Sequence, residues 1–334
     1  MSSIPSPPLL VVEGLTKSYA RSGGPFRPPV AARPALGGVD LSLHRGDILG
    51  IVGESGSGKS TLARCVSLLE RPDRGSVVFN GVDLTTLDSR SLRRMRRHIQ
   101  IVFQDPYSSL NPRLTVGDAL GEVLSVHRLV APDAVHRRVG QLLDLVGLPS
   151  GAARQYPSDF SGGQRQRVCI ARALAAEPQL LIADEAVSAL DVSVQAQILN
   201  LLLDLQSDLD LGVIFISHNL SVVRRIAQRI GVMFGGRLIE LLPCARDVDD
   251  AQHPYTQALL AAVPRIDRPI VPVERQDADL VPTLPATGCP YRERCPHAFD
   301  RCAAIDPPLM ALAGDREHLS ACHLAAPGVS RRNT

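Results

Sequence analysis

A glycine-rich string, GESGSGKS over residues 53–60, lies between a short apolar run and a segment with helical composition. Its glycines let the backbone curl so that successive N–H groups point at phosphate oxygens, and the helix that follows adds its positive dipole end. This G-x-x-x-x-G-K-[ST] spacing predicts that Lys59 reaches the β and γ phosphates of a nucleotide and that the Ser60 hydroxyl binds Mg²⁺. The residues expected to surround the phosphates are Gly53, Glu54, Ser55, Gly56, Ser57, Gly58, Lys59, Ser60 and Thr61.

Two adjacent acids end an apolar run, QLLIADE, over residues 179–185. The run is typical of a buried parallel strand, whose ligand-binding side chains lie at its carboxyl end. We expect Asp184 to hold Mg²⁺, directly or through water, and Glu185 to orient and deprotonate an attacking water. Two acids at this position can also simply begin a loop, but the phosphate loop upstream favours the catalytic interpretation.

A second anion site is indicated by FSGGQRQR, residues 160–167, which leads into another helical segment. Ser161 can cap that helix, while Gly162 and Gly163 bring bare backbone N–H groups to a phosphate, and Gln164 belongs to the same turn. One chain cannot use this site and the phosphate loop on a single nucleotide.

These strings, in this order, resemble the ATP-binding subunits of ABC transporters over about residues 9–264. In that family the signature that FSGGQRQR resembles closes over ATP held on the phosphate loop of another subunit. The resemblance therefore implies ATP and Mg²⁺ as ligands and a head-to-tail dimer as the active unit.

Other positions match the family individually. Tyr19 matches the aromatic residue that stacks on adenine, and Gln104 matches the glutamine that contacts magnesium and the attacking water before the region that contacts the membrane subunits. Asp191, at the end of SALD, belongs to the loop that crosses the dimer interface, and His218 matches the histidine that contacts the γ phosphate. One departure is Ala186–Val187 where the family has Pro-Thr, which predicts a less rigid entry to that loop.

The predicted fold class is α/β, a P-loop NTPase of the ABC ATPase type with a parallel core sheet, an antiparallel β subdomain and a helical subdomain at about 108–175. Apolar strands alternating with helical stretches support the core sheet, and LLVVEGLTKSY and ALGGVDLSLHRGD are expected to be antiparallel strands. The predicted boundaries are a nucleotide-binding domain at 1–264, a Pro-rich linker at 265–287, a cysteine-rich C-terminal extension at 288–324 and a tail at 325–334.

The extension contains the cysteines Cys289, Cys295, Cys302 and Cys322 in a short segment. Because this segment has little apolar mass, it needs a cross-link or a bound metal to be stable. Four thiolates can hold a [4Fe–4S] cluster or tetrahedral zinc, and the absence of C-x-x-C knuckles argues against common zinc ribbons. A reducing cytosol disfavours disulfides. The segment resembles the C-terminal extension of peptide-transporter ATPases, which implies the iron–sulfur cluster in a structural role; zinc and unmetallated cysteines stay open.

Composition limits the partners. A net charge of +2 is too mild for a nucleic-acid-binding protein, and the sequence has neither an apolar run of membrane-spanning length nor the start of a signal peptide, so we expect a cytosolic chain. The string HPYTQALLAAVP narrows the resemblance to transporters of oligopeptides, dipeptides and related solutes. The strings QDPYSSLNPR and FSGGQRQR most resemble one of the two non-identical ATPases of peptide importers.

That resemblance implies a sister ATP-binding subunit, two integral permeases, an extracytoplasmic solute-binding protein and a peripheral location on the cytoplasmic face of the cell membrane. ATP hydrolysis would then power peptide import. Nickel chelates, glutathione and opine-like compounds are alternative solutes. A soluble ABC ATPase acting on DNA or ribosomes is an alternative role, which the single cassette without long heptads disfavours. A regulatory subunit that never turns over is disfavoured by the intact catalytic groups.

Overall fold

The computed structural model describes residues 7–19, 34–243, 245–262, 287–312 and 314–325. The predicted linker, except residue 287, and the predicted tail beyond residue 325 lie outside them. The strands of the described residues are β1 Leu10–Ser18, β2 Pro34–Leu43, β3 Ile48–Val52, β4 Arg74–Phe79, β5 Val82–Asp83, β6 Ile99–Val102, β7 Leu180–Asp184, β8 Gly212–Ser217, β9 Arg229–Phe234, β10 Arg237–Leu242, β11 Met310–Leu312 and β12 Asp315–Ser320.

Helices cover both faces of the larger sheet. They are α1 Lys59–Val66, α2 Ser89–Arg96, α3 Pro106–Ser109, α4 Val116–Val126, α5 Val135–Leu145, α6 Gly162–Leu174, α7 Val192–Leu209, α8 Leu220–Ile226, α9 Pro254–Ala261 and α10 Asp300–Ala304. No helix in the described ranges is long and apolar enough to cross a bilayer.

The larger sheet has the strand order β11-β12-β10-β9-β3-β8-β7-β6. Its strands from β9 to β6 are parallel, and β10, β12 and β11 add to β9 in antiparallel pairs. Strands β3, β7 and β8 are buried along their whole length because both faces are covered, one by helices and the other by α1 with the smaller sheet, which explains their uninterrupted apolar sequences. Their carboxyl ends lie at one edge, where the candidate catalytic residues follow.

The smaller sheet has the order β2-β1-β4-β5 and is antiparallel. The predicted antiparallel pairing of the two N-terminal strands is therefore confirmed. Apolar residues of β1, β2 and β4 form one core cluster with α1 and one face of the larger sheet, and the other face packs against the helices that precede β7 and follow it. Between β6 and β7 the chain is helical, with α4, α5 and α6 in mutual contact.

The C-terminal segment differs from the separate unit that the sequence predicted. Strand β12 pairs with β10, with Glu240 opposite Ser320, and β11 pairs with β12, so the segment extends the core sheet. The physical reason is that β10 would otherwise present a row of unpaired backbone groups at an edge, which a further strand satisfies.

Candidate nucleotide site

The phosphate loop connects β3 to α1 and depends on close backbone approaches. Gly58 has φ +103°, and a Cβ built there would lie 2.5 Å from the Ala35 carbonyl oxygen. Both the left-handed conformation and the contact exclude a larger side chain, so glycine is required where the loop turns into the helix. Helix α1 therefore begins at Lys59, immediately after Gly58.

Lys59 is the first residue of α1 and is nearly buried, with 5% of its surface exposed. Its Nζ donates to the carbonyl oxygens of Gly53 at 2.8 Å and Glu54 at 2.9 Å, so the side chain folds back along the loop. Burial lowers the pKa of Lys59, while the negative charges of Glu185, Asp184 and Glu54 oppose that shift. An ammonium held within the loop in this way can contact phosphate oxygens that enter it.

Ser60 and Asp184 meet at 3.2 Å, where the Ser60 hydroxyl donates to Oδ1 of the carboxylate. Asp184 ends β7 and is 6% exposed, and burial raises its pKa, whereas the hydrogen bond from Ser60 lowers it. A hydroxyl and a carboxylate are hard oxygen ligands of the kind that Mg²⁺ binds in phosphate sites. These two side chains therefore fit the predicted magnesium ion.

Glu185 occupies a strained position next to Asp184. Its φ is +49°, in the left-handed region that a residue with a Cβ rarely adopts, and its N–H donates to the Ile216 carbonyl at 3.0 Å. The carboxylate Oε2 lies 3.3 Å from Nδ1 of His218, whose ring is more than half exposed. The ends of β7 and β8 thus hold an acid and an imidazole as a pair.

Tyr19 and Gln104 form no hydrogen bond with this pair in the described residues. Tyr19 follows β1, is 43% exposed and hydrogen-bonds through its hydroxyl to Glu70. Gln104 follows β6 after one intervening residue and is exposed. Because β6 is the neighbour of β7, Gln104 lies at the same edge of the sheet as Asp184.

The predicted second anion site forms the start of α6. Ser161 caps this helix in a box with Gln164: the Gln164 N–H donates to the Ser161 hydroxyl, and the Ser161 N–H donates to Gln164 Oε1 at 2.9 Å. Gly162 and Gly163 form the first turn. Asp191 caps the next helix, α7, by accepting from the Val194 N–H at 3.0 Å, and this hydrogen bond lowers the pKa of Asp191.

The four C-terminal cysteines are free thiols, with Cys289 and Cys302 buried and Cys295 and Cys322 half-buried. Burial raises the pKa of Cys289 to about 11, and the charges of the other three add to the shift, so all four lie within electrostatic range. In the described part of the chain, however, no group of three or more His, Cys, Asp or Glu side chains is placed to hold a metal ion. The predicted four-thiolate centre is not preassembled there, and the pairing of β12 with β10 attaches the segment instead.

Two residues that sequence reasoning missed contact the phosphate loop. The Tyr255 hydroxyl accepts from the Glu54 N–H at 2.9 Å, and the Arg294 guanidinium donates to both Glu54 carboxylate oxygens at 2.8 and 2.9 Å. Tyr255 belongs to the HPYT string, which supported the family resemblance but did not indicate that Tyr255 contacts Glu54. Arg294 is 240 residues from Glu54 and no spacing rule connects them.

Comparison with known proteins places the chain in a family. The ABC transporter family model matches residues 36–188, and the model described as the oligopeptide/dipeptide transporter C-terminal region matches residues 239–302. The probable peptide ABC transporter ATP-binding protein y4tS of Sinorhizobium fredii is 48% identical over 328 residues, covering 96% of this chain and 91% of that protein. This chain belongs to the ATP-binding proteins of ABC transporters. The oligopeptide transport ATP-binding protein AppF of Bacillus subtilis is 44% identical to this ABC ATPase over 322 residues, covering 95% and 97% of the two chains.

Solved structures agree with the ABC ATPase fold. The dimeric ATP-binding cassette MJ0796, in a post-hydrolysis state bound to ADP and Pi, is 30% identical, with a TM-score of 0.60 over 69% of this chain and 96% of that one. Cassette cbiO1 of Clostridium perfringens, part of the cbiONQ transporter complex, is 28% identical, with a TM-score of 0.63 over 73% and 91%. The predicted ABC ATPase fold with mixed α/β sheets is confirmed.

Proposed function

We propose that this chain hydrolyses ATP to power the import of peptides across a membrane. The observation that carries the proposal is the convergence of Lys59, Ser60, Asp184, Glu185 and His218 at the carboxyl ends of three adjacent parallel strands. Phosphoryl transfer needs positioning and charge stabilisation more than bond chemistry, and these five side chains supply both.

Each catalytic side chain has a separate task. Lys59 neutralises charge on the β and γ phosphates, within a loop that provides backbone N–H groups. Ser60 and Asp184 would hold Mg²⁺, with Gln104 as a further ligand, and the ion would supply positive charge to offset the charge of the leaving γ group. Glu185 orients the attacking water and accepts its proton, and His218 contacts the γ phosphate beside Glu185.

A complete site requires a second subunit. Ser161 and the turn after it contact the nucleotide that a sister ATPase holds, and Asp191 lies on the loop that crosses between the two subunits. Support comes from the capped, glycine-rich start of α6, where exposed Ser161 and bare N–H groups suit a phosphate, and from the dimeric state of MJ0796. Tyr19 stacks on the adenine, since its ring is exposed at the end of β1.

Peptide import is supported by the names of the relatives and by the match to the oligopeptide/dipeptide transporter C-terminal region. We place the chain at the cytoplasmic face of the membrane with its sister ATPase and two permeases, and a solute-binding protein outside delivers the peptide. We assign to permease contact a groove of about 430 Å³ that is lined by Tyr107, Leu110, Leu114 and Arg172, residues that come after Gln104 in the chain. Tyr107 is 66% exposed, so its ring is accessible to a permease.

The iron–sulfur cluster stays a proposal for Cys289, Cys295, Cys302 and Cys322. Its support is the cysteine spacing, the family resemblance and the mutual electrostatic range of the thiols. Anaerobic purification followed by iron, sulfide and zinc analysis tests it: about four irons and four sulfides per chain support the cluster. Zinc in place of iron, or no metal, contradicts it without affecting the ATPase proposal.

The ATPase proposal is tested with Glu185→Gln in the assembled transporter. We expect ATP turnover to fall at least about 100-fold, because the base that positions the water is lost, while Mg-ATP still binds. Glu13→Gln, an exposed glutamate on β1, is the matched control and keeps wild-type turnover. Unchanged turnover in Glu185→Gln would contradict the assignment of the base.

The solute is tested by uptake. Membrane vesicles containing the chain, its sister ATPase, both permeases and the binding protein are expected to accumulate labelled dipeptides or oligopeptides when ATP is present on the cytoplasmic side. Accumulation of a nickel chelate, glutathione or an opine in place of peptides would contradict the peptide assignment and leave the ATPase assignment intact.

A further inference from the structure

The second residue of the phosphate loop is held from outside the loop. Arg294, in the C-terminal segment, forms a bidentate ion pair with Glu54, with Nη1 and Nη2 at 2.9 and 2.8 Å from the two carboxylate oxygens. About a third of each side chain is exposed. Two parallel charge-assisted hydrogen bonds fix direction as well as charge, so the carboxylate has one defined orientation.

The arginine is itself held by an aromatic cluster. Its guanidinium lies 5.7 Å from the ring centroids of both Phe234 and Tyr291, which contact each other edge to face. Tyr255 packs against both rings and is 1% exposed, and its hydroxyl accepts from the Glu54 N–H. The C-terminal third of the chain therefore holds the backbone and the side chain of Glu54 at the same time.

Glu54 brings a negative charge into a loop that binds phosphates. Its carbonyl oxygen accepts from Lys59, so the acid and the ammonium belong to the same small unit. A carboxylate without a cation there would repel the negatively charged phosphates of a nucleotide, because like charges repel each other at short range.

We propose that Arg294 is a positioning residue for the phosphate loop: it neutralises Glu54 and fixes its orientation, and thereby maintains the affinity of the loop for nucleotide phosphates. This inference rests on the proposed function, since it takes ATP as the ligand of the loop. The C-terminal segment would then influence nucleotide binding by the same chain through its contact with Glu54.

A double-mutant cycle on the full-length chain tests it, with equilibrium binding of Mg-ATP measured by titration calorimetry. We expect Arg294→Gln to weaken binding roughly three- to tenfold at low salt, because Glu54 is left unpaired. Glu54→Gln in the same chain removes the repelling charge, so the double variant returns to within about twofold of wild type. Raising the ionic strength from about 0.05 M to about 0.5 M shrinks the defect of Arg294→Gln, because salt screens the exposed charge.

Controls separate charge from folding. Arg301→Gln removes an exposed arginine of the same segment and is expected to bind Mg-ATP like wild type. Arg294→Lys keeps the charge without the fork, and we expect binding between those of wild type and Arg294→Gln. Wild-type affinity in Arg294→Gln, or a double variant as weak as Arg294→Gln, overturns the proposal. The affinity for Mg-ATP is measured without turnover, so these results stay interpretable even if Glu185→Gln retains wild-type turnover.

Discussion

Asp184 illustrates how a functional group acts against stability. Burial raises its pKa above the ordinary value of 3.8, so the folded chain holds the proton more tightly than the unfolded chain. The contribution of this carboxyl group to stability is therefore greatest below the unfolded pKa and is lost as pH rises through the folded pKa, so at neutral pH the ionised carboxylate destabilises the nucleotide-free protein. The neighbouring charge of Glu185 acts in the same direction.

We accordingly expect Asp184→Asn to raise the Tm of the nucleotide-free protein while abolishing Mg²⁺-dependent hydrolysis. Asparagine still accepts from Ser60, and each kcal/mol of relief corresponds to about 2–4 °C for a chain of this size class. Thermal unfolding at pH 7 measures the effect, with Asp204→Asn on the exposed face of α7 as control. A lower Tm for Asp184→Asn would show that the carboxylate is not a destabilising group.

At the residue scale, the phosphate loop, Asp184, Glu185 and His218 could be predicted because strand order brings the ends of apolar runs together. The pairing of Glu185 with His218 follows from β7 and β8 being neighbours. Arg294 could not be predicted, because a contact across 240 residues depends on how the C-terminal segment packs, which no local pattern encodes.

At the element scale, helices α6 and α7 approach so closely that Gly163 has no room for a side chain. A Cβ there would lie 2.3 Å from Cγ1 of Val194. We expect Gly163→Ala to destabilise the protein by about 1–3 kcal/mol, because β-branched Val194 has few alternative rotamers. Denaturant unfolding checks this value.

Val194→Ala in the same background is expected to restore most of the stability lost in Gly163→Ala, since it removes the clashing methyl. Gly151→Ala, whose added Cβ meets nothing within 4 Å, is the control and is expected to change stability by less than about 0.5 kcal/mol. A double variant no more stable than Gly163→Ala would mean that the clash is not with Val194.

The start of α9 contains a titratable cap. His253 is 1% exposed and its Nδ1 accepts from the Tyr255 N–H, and burial lowers the pKa of His253 to about 4 although Glu240 opposes the shift. Because the folded pKa lies below the unfolded value, the contribution of the neutral His253 imidazole to stability is fully present above about pH 6.5 and is lost as pH falls toward 4.

His253→Asn retains an acceptor for the cap but does not titrate. We expect it to flatten the fall in unfolding free energy between pH 6.5 and 4 by up to about 1.4 kcal/mol per pH unit, the slope of one proton. Urea unfolding across pH 4–8 measures the slopes, and above pH 6.5 the two proteins should have equal ones. Equal slopes below pH 6.5 as well would exclude His253 as the titrating group.

The order of the elements could be predicted where the sequence has clear hydrophobic periodicity or long apolar runs, as for β3, β7 and β8. The addition of β11 and β12 to the core sheet was not, because these strands are short and half-exposed, and cysteine spacing directed attention to metal chemistry. Strand pairing over a long separation is set by the available edge of β10 and leaves no periodic trace in the sequence.

At the scale of the whole molecule, a substitution in the groove around Tyr107 tests whether ATP hydrolysis is coupled to transport there. The Arg165 guanidinium lies over the Tyr107 ring, 4.0 Å from its centroid, and packs against it. We expect Tyr107→Ala to lower ATP-driven peptide uptake about tenfold or more, as loss of an aromatic anchor does at interfaces, with Mg-ATP binding by the isolated chain unchanged.

Tyr156→Ala is the matched control, because Tyr156 is 46% exposed and lies outside the lining of that groove. Uptake measured in reconstituted vesicles, beside copurification of the permeases, distinguishes lost docking from lost catalysis. Normal uptake by Tyr107→Ala would exclude the ring as a docking contact.

The pairing of β10 with β12 and of Glu54 with Arg294 also fixes an order of events during translation. The phosphate loop leaves the ribosome first, and Arg294 is added 240 residues later, which takes roughly 12–48 s at about 5–20 residues per second. During that interval the nascent chain has the loop without its clamp. Strand β10 lacks its outer neighbour only while residues 243–314 are added, since β10 ends at Leu242 and β12 begins at Asp315. Until synthesis has passed residue 320, a new chain has an exposed sheet edge at β10, and such an edge is a template for pairing with other chains.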